Sequence, residues 1–488
     1  MNQITVHLDS WVRRLDMLPL GININFLLDG GFYKNPARTL SDALRDMGVK
    51  YLRYPGGEKS DNCLWSMPPY AKPHMTLARY GEGEVRPEFR RFVEPDNRTF
   101  NSEALNFDEF IALCKEVKAE PVVVVPYDSM FLPPEKNGVI PTRKQLLENA
   151  IEWVNYANKI KNYKVRYWEI GNESYIIAHR CGAIASDYAR DVSEFSREMK
   201  KIDPSIQILA NGPTGAYPNE KLISVLDQKE GNAMEWWKEV LTESVSDIDG
   251  IAYHDYPCYG WQGYRYYAEN NVDLLQGVKG IRKSVDTYGA SQKNRLKLML
   301  TETNSADWSG EKPDGGIPWS LCGNLGHALV LFDLLGRNMQ CPDVEAAIVW
   351  NTRWVNNDNT DSREFWDAIG PDNELLPPGE MIKCWKEQIL NGFLTIEYPN
   401  NCSCFATKDL KGNFRIIVIN KSESSLSAEV LLDGEEAADR RGMHLVYSGT
   451  GSEDAAPKWR EPVMVRLVQN RMRIILPPVS LNIFSFEK

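Results

Sequence analysis

The chain has 488 residues, 43% apolar and 25% charged, the balance of a soluble globular protein rather than a disordered or fibrous one. Its 56 Lys and Arg stand against 67 Asp and Glu, and the net charge of -11 offers no general attraction to nucleic acid or an anionic membrane. A neutral substrate suits this surface better than a polyanion, and the length allows about three domains of roughly 150 residues or one barrel of roughly 250 or more with a smaller companion.

The opening stretch, MNQITVHLDSWVRRLDMLPL, carries charges early and has no uninterrupted apolar run, so it does not read as a secretory signal. Unless a signal has already been removed, the expectation is a cytoplasmic protein. Within that stretch NQITVHLDS reads as a strand. Short apolar runs then alternate with amphipathic helical stretches. Candidate strands are GININF (Gly21–Phe26), YLRYP from Tyr51, EPVVVVPY from Glu120, RYWEIGN from Arg166, IQILANG from Ile206, GIAYHDY from Gly250, LKLMLTE from Leu296 and AAIVWN from Ala346. Helical segments fall between them, among them Arg38–Met47, Phe107–Val117, Arg143–Ile160, Asp187–Lys201 and Leu325–Arg337. Eight such units, with continuously apolar rather than alternating strands, predict an α/β fold of (β/α)8 barrel type. The competing doubly wound sheet lacks a Gly-x-Gly-x-x-Gly turn after any strand. Runs such as Val122–Val125 are far too short to span a bilayer.

From about Phe393 the texture changes to alternating, β-prone segments separated by turn signals such as Lys411-Gly412 and Asp433-Gly434, which predicts a C-terminal antiparallel β-sandwich. The expected organisation is an N-terminal strand in residues 1–18 packing with the sandwich, a catalytic barrel over 19–390 and the sandwich over 391–488. Nine cysteines, an odd number without repeating spacing, suit reduced thiols. Cys402 and Cys404 read as strand or turn thiols rather than as half of a metal site.

In a (β/α)8 enzyme the C-terminal strand ends converge on one mouth. Glu173 follows the fourth strand and Glu302 ends the seventh, so the two should face each other there. Opposed carboxylates are the minimal machinery for cleaving a glycosidic bond: one protonates the leaving oxygen, and the other stabilises or attacks the oxocarbenium-like centre. A single Glu at a strand end is more often a solvated charge or an ion-pair partner, and the weight lies in the pair. Other strand ends supply Arg53, Tyr253, His254, Tyr256 and Trp350, and Asn172 offers an amide to a sugar hydroxyl. An Arg beside a carboxylate lowers its pKa and keeps it anionic. Aromatic residues crowd the loops, including Trp65, Tyr70, Trp261, Trp308, Trp319 and Trp354, and sugar C–H faces pack on such planes. About half of them are expected only to anchor loops or interfaces. Six scattered His form no ligand pair along the chain, so neither a metal nor a cofactor is expected.

These residues resemble the clan A retaining glycoside hydrolases, and most closely glycoside hydrolase family 51, the α-L-arabinofuranosidase family. The resemblance runs through LRYPGG (Leu52–Gly57), FDEFIALCKEVKAEPVVVV (Phe107–Val125), WVNYAN (Trp153–Asn158), YWEIGNE (Tyr167–Glu173) and DYARDVSEFSREMKKIDPSIQILANG (Asp187–Gly212). It implies Glu173 as acid/base, Asn172 as the contact to a sugar 2-hydroxyl and Glu302 as nucleophile, with His254 and Tyr256 nearby and Arg53 steadying it. Two stretches depart from the family. Glu302 sits in LTETNS rather than Asp-Glu-Trp, closer to β-xylosidases and endoglucanases, and the first strand lacks the usual Glu pocket residue, leaving Asn23 or Asn25 in its place. The resemblance implies an oligo- or polysaccharide substrate from plant cell walls and raises the expectation of a homo-oligomer. The alternatives are an endo-β-glucanase or a β-xylosidase or xylanase of the same clan, and, from another class, a noncatalytic carbohydrate-binding barrel.

Overall fold

The computed structural model describes residues 2–62, 64–67, 79–80, 84–85, 93–94, 99–100, 103–131, 140–176, 184–214, 233–257, 263–305, 323–353, 367–434 and 439–488. After strand β1 (Asn2–Arg14) come eight barrel strands: β2 (Leu20–Asn23), β3 (Tyr51–Tyr54), β4 (Glu120–Val125), β5 (Tyr167–Ile170), β6 (Gln207–Asn211), β7 (Gly250–Asp255), β8 (Lys297–Thr303) and β9 (Val344–Val349). All pair in parallel with their chain neighbours, and β9 closes on β2. The strands are buried on both faces, as a sheet enclosed by helices requires.

Helices cover the outside because their starts and stops are written locally. Thr39 caps α1 (Leu40–Met47), and Asn106 with Glu109 forms a capping box on α2 (Phe107–Val117). Thr142 and Gln145 do the same for α3 (Arg143–Val154), which continues as a π-helical stretch through Ile160. The next two are α4 (Ala185–Ile202) and α5 (Ala233–Ser244). Four more follow: α6 (Gly263–Glu269), α7 (Gln276–Tyr288), α8 (Leu325–Gln340) and α9 (Pro377–Gln388). No helix among the described residues is long and apolar enough to cross a membrane.

Inside the barrel, Tyr51, Val122, Tyr167, Leu209, Ala252, Met299, Ala346 and Ile348 form a closed apolar layer. Side chains alternate across a strand, so the residues two positions further toward the C-terminal end also point inward. Those residues are Arg53 after Tyr51, Glu169 after Tyr167, Asn211 after Leu209 and His254 after Ala252. The barrel is therefore apolar below and polar at its mouth.

The second region is built from β10 (Gly392–Glu397), β11 (Cys402–Lys408), β12 (Phe414–Asn420), β13 (Leu426–Asp433), β14 (Arg440–Ser448), β15 (Lys458–Trp459), β16 (Val463–Leu467), β17 (Arg471–Leu476) and β18 (Ser480–Phe486). With β1 they make one ten-stranded sheet ordered β15-β14-β18-β12-β11-β10-β1-β13-β17, and β16 also pairs with β14. The sheet is antiparallel except that β1 runs parallel to β13, Asn2 opposite Ala428 and His7 opposite Asp433, while pairing antiparallel with β10 on its other side. It rolls on itself, so that Ile4, Val6, Leu394, Cys404, Ile416, Val430, Leu476 and Phe484 share one core in the manner of a sandwich. The opposite face, with Phe405, Ile417, Ile419, Leu481 and Ile483, joins the barrel's own core. There Trp385 stacks on Phe332 at 4.1 Å between ring centroids and meets Phe405 edge-on at 5.0 Å.

Candidate active site

Arg53 is the centre of the polar mouth. Its Nε and Nη2 donate to Glu169 Oε2 and Oε1 at 2.8 and 3.1 Å, and its Nη1 donates to Glu302 Oε1 at 2.7 Å. The remaining donors reach Asn23 Oδ1 at 3.0 Å and Asn172 Oδ1 at 2.8 Å. Arg53 and Glu169 are fully buried. Burial works against the charge on Arg53, but the flanking Glu169 and Glu302 outweigh it and raise the guanidinium pKa. A planar fork with five donors can hold two carboxylates and two amides in one fixed geometry; an ammonium cannot.

Glu302 lies on β8 with its second oxygen, Oε2, accepting from the Tyr256 hydroxyl at 2.8 Å. Burial pushes its carboxyl pKa up, His254 and Arg53 pull it back, Glu173 adds to the rise, and the Tyr256 hydrogen bond opposes it. The net direction is upward, so Arg53 tempers the effect of burial without cancelling it, contrary to the lowered pKa expected from the Arg alone. His254 places Nδ1 2.9 Å from Glu173 Oε1 and 3.4 Å from Glu302 Oε2. Burial lowers the pKa of this imidazole, which favours its neutral form, and in the tautomer with its proton on Nδ1 it donates to the ionised carboxylate beside it.

Glu173 projects into the same mouth from the turn after β5, with a side chain 30% exposed. The turn is tight: Gly171 has φ +75° and Glu173 itself φ +50°. A Cβ on Gly171 would overlap the Ser174 hydroxyl and come within 2.7 Å of Asp128 Oδ2, so only glycine fits there. Asp128 accepts from Ser174 Oγ at 2.7 Å and from Asn172 N at 3.2 Å, while Asn211 binds the other side of the turn through Ser174 N at 2.9 Å and Ile170 O at 2.7 Å. Donor atoms of Glu173, His254 and Glu302 all lie within 4.8 Å of one another. These three could close on a divalent cation, although Arg53 already places a positive charge against Glu302.

Glu173, Glu302, Asn172, Arg53, His254, Tyr256 and Trp350 thus converge. Trp350 lies just past β9, buried, with the Lys59 ammonium 5.3 Å from its ring centroid. Tyr253, Trp65 and Asn25 do not join them. Tyr253 lies between the inward-facing Ala252 and His254 and so points out into the layer between strands and helices. Trp65 stacks on Trp153 of α3, 6.1 Å away and 9° from parallel, also in the outer layer. Asn25 is consumed by a turn: its amide donates to Arg353 O and its Oδ1 accepts from Leu27 N. Asn23, not Asn25, faces the site, where its amide bonds Thr301 O and Val349 O beneath Glu302. Trp261, Tyr70, Trp308, Trp319 and Trp354 lie outside the described residues. Two acids went unrecognised in the sequence, Glu169 and Asp128. The inward alternation from Tyr167 was the available signal for Glu169; Asp128 had none.

A closed (β/α)8 barrel with carboxylates at the ends of its fourth and seventh strands is the architecture of the clan A glycoside hydrolase class. Residues 43–243 match the family model of the α-L-arabinofuranosidase 1 domain. The chain is 24% identical over 280 residues to an intracellular exo-α-(1→5)-L-arabinofuranosidase of Streptomyces lividans, a match that spans 53% of this chain and 36% of that protein. Its fold matches an α-L-arabinofuranosidase of Thermotoga maritima, crystallised with arabinose, with a TM-score of 0.72 over 99% of both chains at 18% identity. It also matches the family 51 α-L-arabinofuranosidase of Thermotoga petrophila, with a TM-score of 0.70 over 100% of both chains at 18% identity. The chain resembles glycoside hydrolase family 51 in sequence and in fold.

Proposed function

We propose that the protein is a retaining glycoside hydrolase of α-L-arabinofuranosidase type. Glu302 attacks the anomeric carbon and forms a glycosyl ester while Glu173 protonates the departing oxygen; Glu173, now anionic, then takes a proton from water as it releases the sugar. Asn172, oriented by Arg53, offers its amide N–H to the hydroxyl next to the reacting centre. The observation that carries this reading is the spacing. Glu173 and Glu302 each bring one carboxylate oxygen to within 4.8 Å of the other at the same mouth, the close opposition that a retaining pair with carboxyl groups ~5–5.5 Å apart requires.

Proton NMR of the first-formed sugar, before mutarotation, tests it. Retained configuration is expected, with methanol trapped as a methyl glycoside of that configuration; inverted product would overturn double displacement even if both glutamates proved essential. Activity that survives a strong chelator separates this mechanism from a metal-dependent one built on Glu173, His254 and Glu302. The LTETNS context of Glu302 favours, as second reading, a β-linked glucan or xylan substrate. Aryl glycosides alongside arabinan, arabinoxylan, xyloglucan and β-glucan decide between the two, and no turnover of any would leave a carbohydrate-binding barrel. Action inside the cell and a homo-oligomeric state belong to the same proposal. The first is supported by the similarity to the intracellular Streptomyces enzyme and the second by the family resemblance, and sedimentation measures the latter.

A further inference from the structure

Asp128 takes no part in the scheme above, yet it is fully buried against the turn that carries Glu173. It follows β4 in a short turn, Asp128–Met130, and its Oδ2 receives both the Asn172 backbone N–H and the Ser174 hydroxyl, the residues on either side of Glu173. Its Oδ1 has no partner among the described residues. We propose that Asp128 is a positioning residue for Glu173: it fixes the turn from both sides, and its charge governs how readily Glu173 parts with its proton. The inference rests on the reading of Glu173 as the acid/base.

The electrostatics run in the same direction as the geometry. Burial leads in pushing the Asp128 pKa up to about 7, the Ser174 and Asn172 bonds oppose it, and the charge of Glu173 adds to the rise. That repulsion is reciprocal, so an ionised Asp128 makes the proton of Glu173 harder to remove. Other titratable groups face the pair. Asp61, on the turn after β3, accepts from the Asp128 N–H at 3.3 Å. Tyr127 is turned away toward Asp191 of α4, and Tyr188 of the same helix packs close enough to feel both Asp128 and Glu169. On the far side of Glu173 stand His254, Glu302 and Tyr175. Only Asp128 among these is bonded to both neighbours of Glu173. In a neutral or slightly alkaline medium its negative charge would keep the acid form of Glu173 available for the first proton transfer.

Asp128→Asn keeps an oxygen for both bonds and removes the charge. Its kcat/KM at lower pH should stay near wild type while the alkaline limb moves down by about half a pH unit or more. Asp128→Ala releases the turn, and its loss should be about tenfold greater on alkyl than on nitrophenyl α-L-arabinofuranosides, because only the poorer leaving group needs the proton. If Asp128→Ala does not fold, Ser174→Ala removes one of the two bonds and should show the same bias to a smaller extent. Superimposable pH profiles for Asp128→Asn, or equal losses on both substrates for the turn variants, would overturn the inference. Glu173→Ala run on the same substrates separates the two levels. If it discriminates and the Asp128 variants do not, only this inference falls; if it does not discriminate, the acid role of Glu173 falls and takes the inference with it.

Discussion

Arg53 stands between two carboxylates with different duties, and removing it should expose both. Arg53→Met leaves Glu169 buried without a partner, a change that costs about 3–5 kcal/mol and is read from urea denaturation. It also deprives Glu302 of a group that lowers its pKa, and since the proposed nucleophile must be ionised to attack, the acid limb of kcat/KM should move to higher pH. An unmoved limb would remove Arg53 from control of Glu302. Asp128 gives a prediction about stability instead. Its pKa is raised from an ordinary value of about 3.9 to about 7 in the fold, so between those values the native state holds a proton that the unfolded chain has released. Stability from this group is fully present at low pH and is lost as pH rises toward 7, and Asp128→Asn should flatten that slope in a series of thermal melts. Of these residues Arg53, Glu173 and Glu302 were legible in the sequence because each stands at or just past the C-terminal end of a strand. Glu169 was legible only through the alternation from Tyr167, and Asp128 not at all, since a buried acid and a surface acid look alike in a loop. Tyr253 was misread because one step along a strand reverses the face, and only the register decides which residue turns inward.

The elements themselves were mostly readable, because a parallel strand buried on both faces leaves an apolar run that little else produces. Their ends were less so. GININF is a strand only through Asn23, since Asn25 spends its side chain on Leu27 and Arg353 and turns the chain away. The helix beginning at Arg143 changes to π-helical geometry at Asn155, which no cap or breaker announces. Within the turn after β3, Gly57 has φ +49°, and a Cβ there would overlap the Trp350 ring and approach Glu302 Oε1 to 2.8 Å. Gly57→Ala should therefore cost about 1–3 kcal/mol of stability through overpacking. A displacement of Glu302, the proposed nucleophile, by ~1 Å should cost about a hundredfold in kcat, far more than the melting temperature suggests. Wild-type kcat in a folded Gly57→Ala protein would show that Trp350 can yield without moving Glu302.

Barrel and rolled sheet share one apolar core through Trp385, Phe332, Phe405, Ile417 and Ile483. Deleting residues 391–488 should expose that core and strip β1 of its partners, giving insoluble protein; a soluble, fully active fragment would show two independent modules. The existence of this second region was legible from the change to alternating strands. The order of its sheet was not, because alternation says which face is apolar but not which strand is the neighbour or in which direction it runs. The placing of β1 between β10 and β13 has a consequence in time. The His7–Asp433 contact spans 426 residues, and at ~5–20 residues per second a ribosome needs about 20–90 s to make the second partner after the first. Until β10 emerges Ile4, Val6 and Leu8 have no sheet to enter, and until β13 emerges β1 is paired on one edge only, while the barrel strands meet most of their neighbours in the order they emerge. The strand made first is thus among the last to find its place, and in a chain halted before β10 it should remain open to protease.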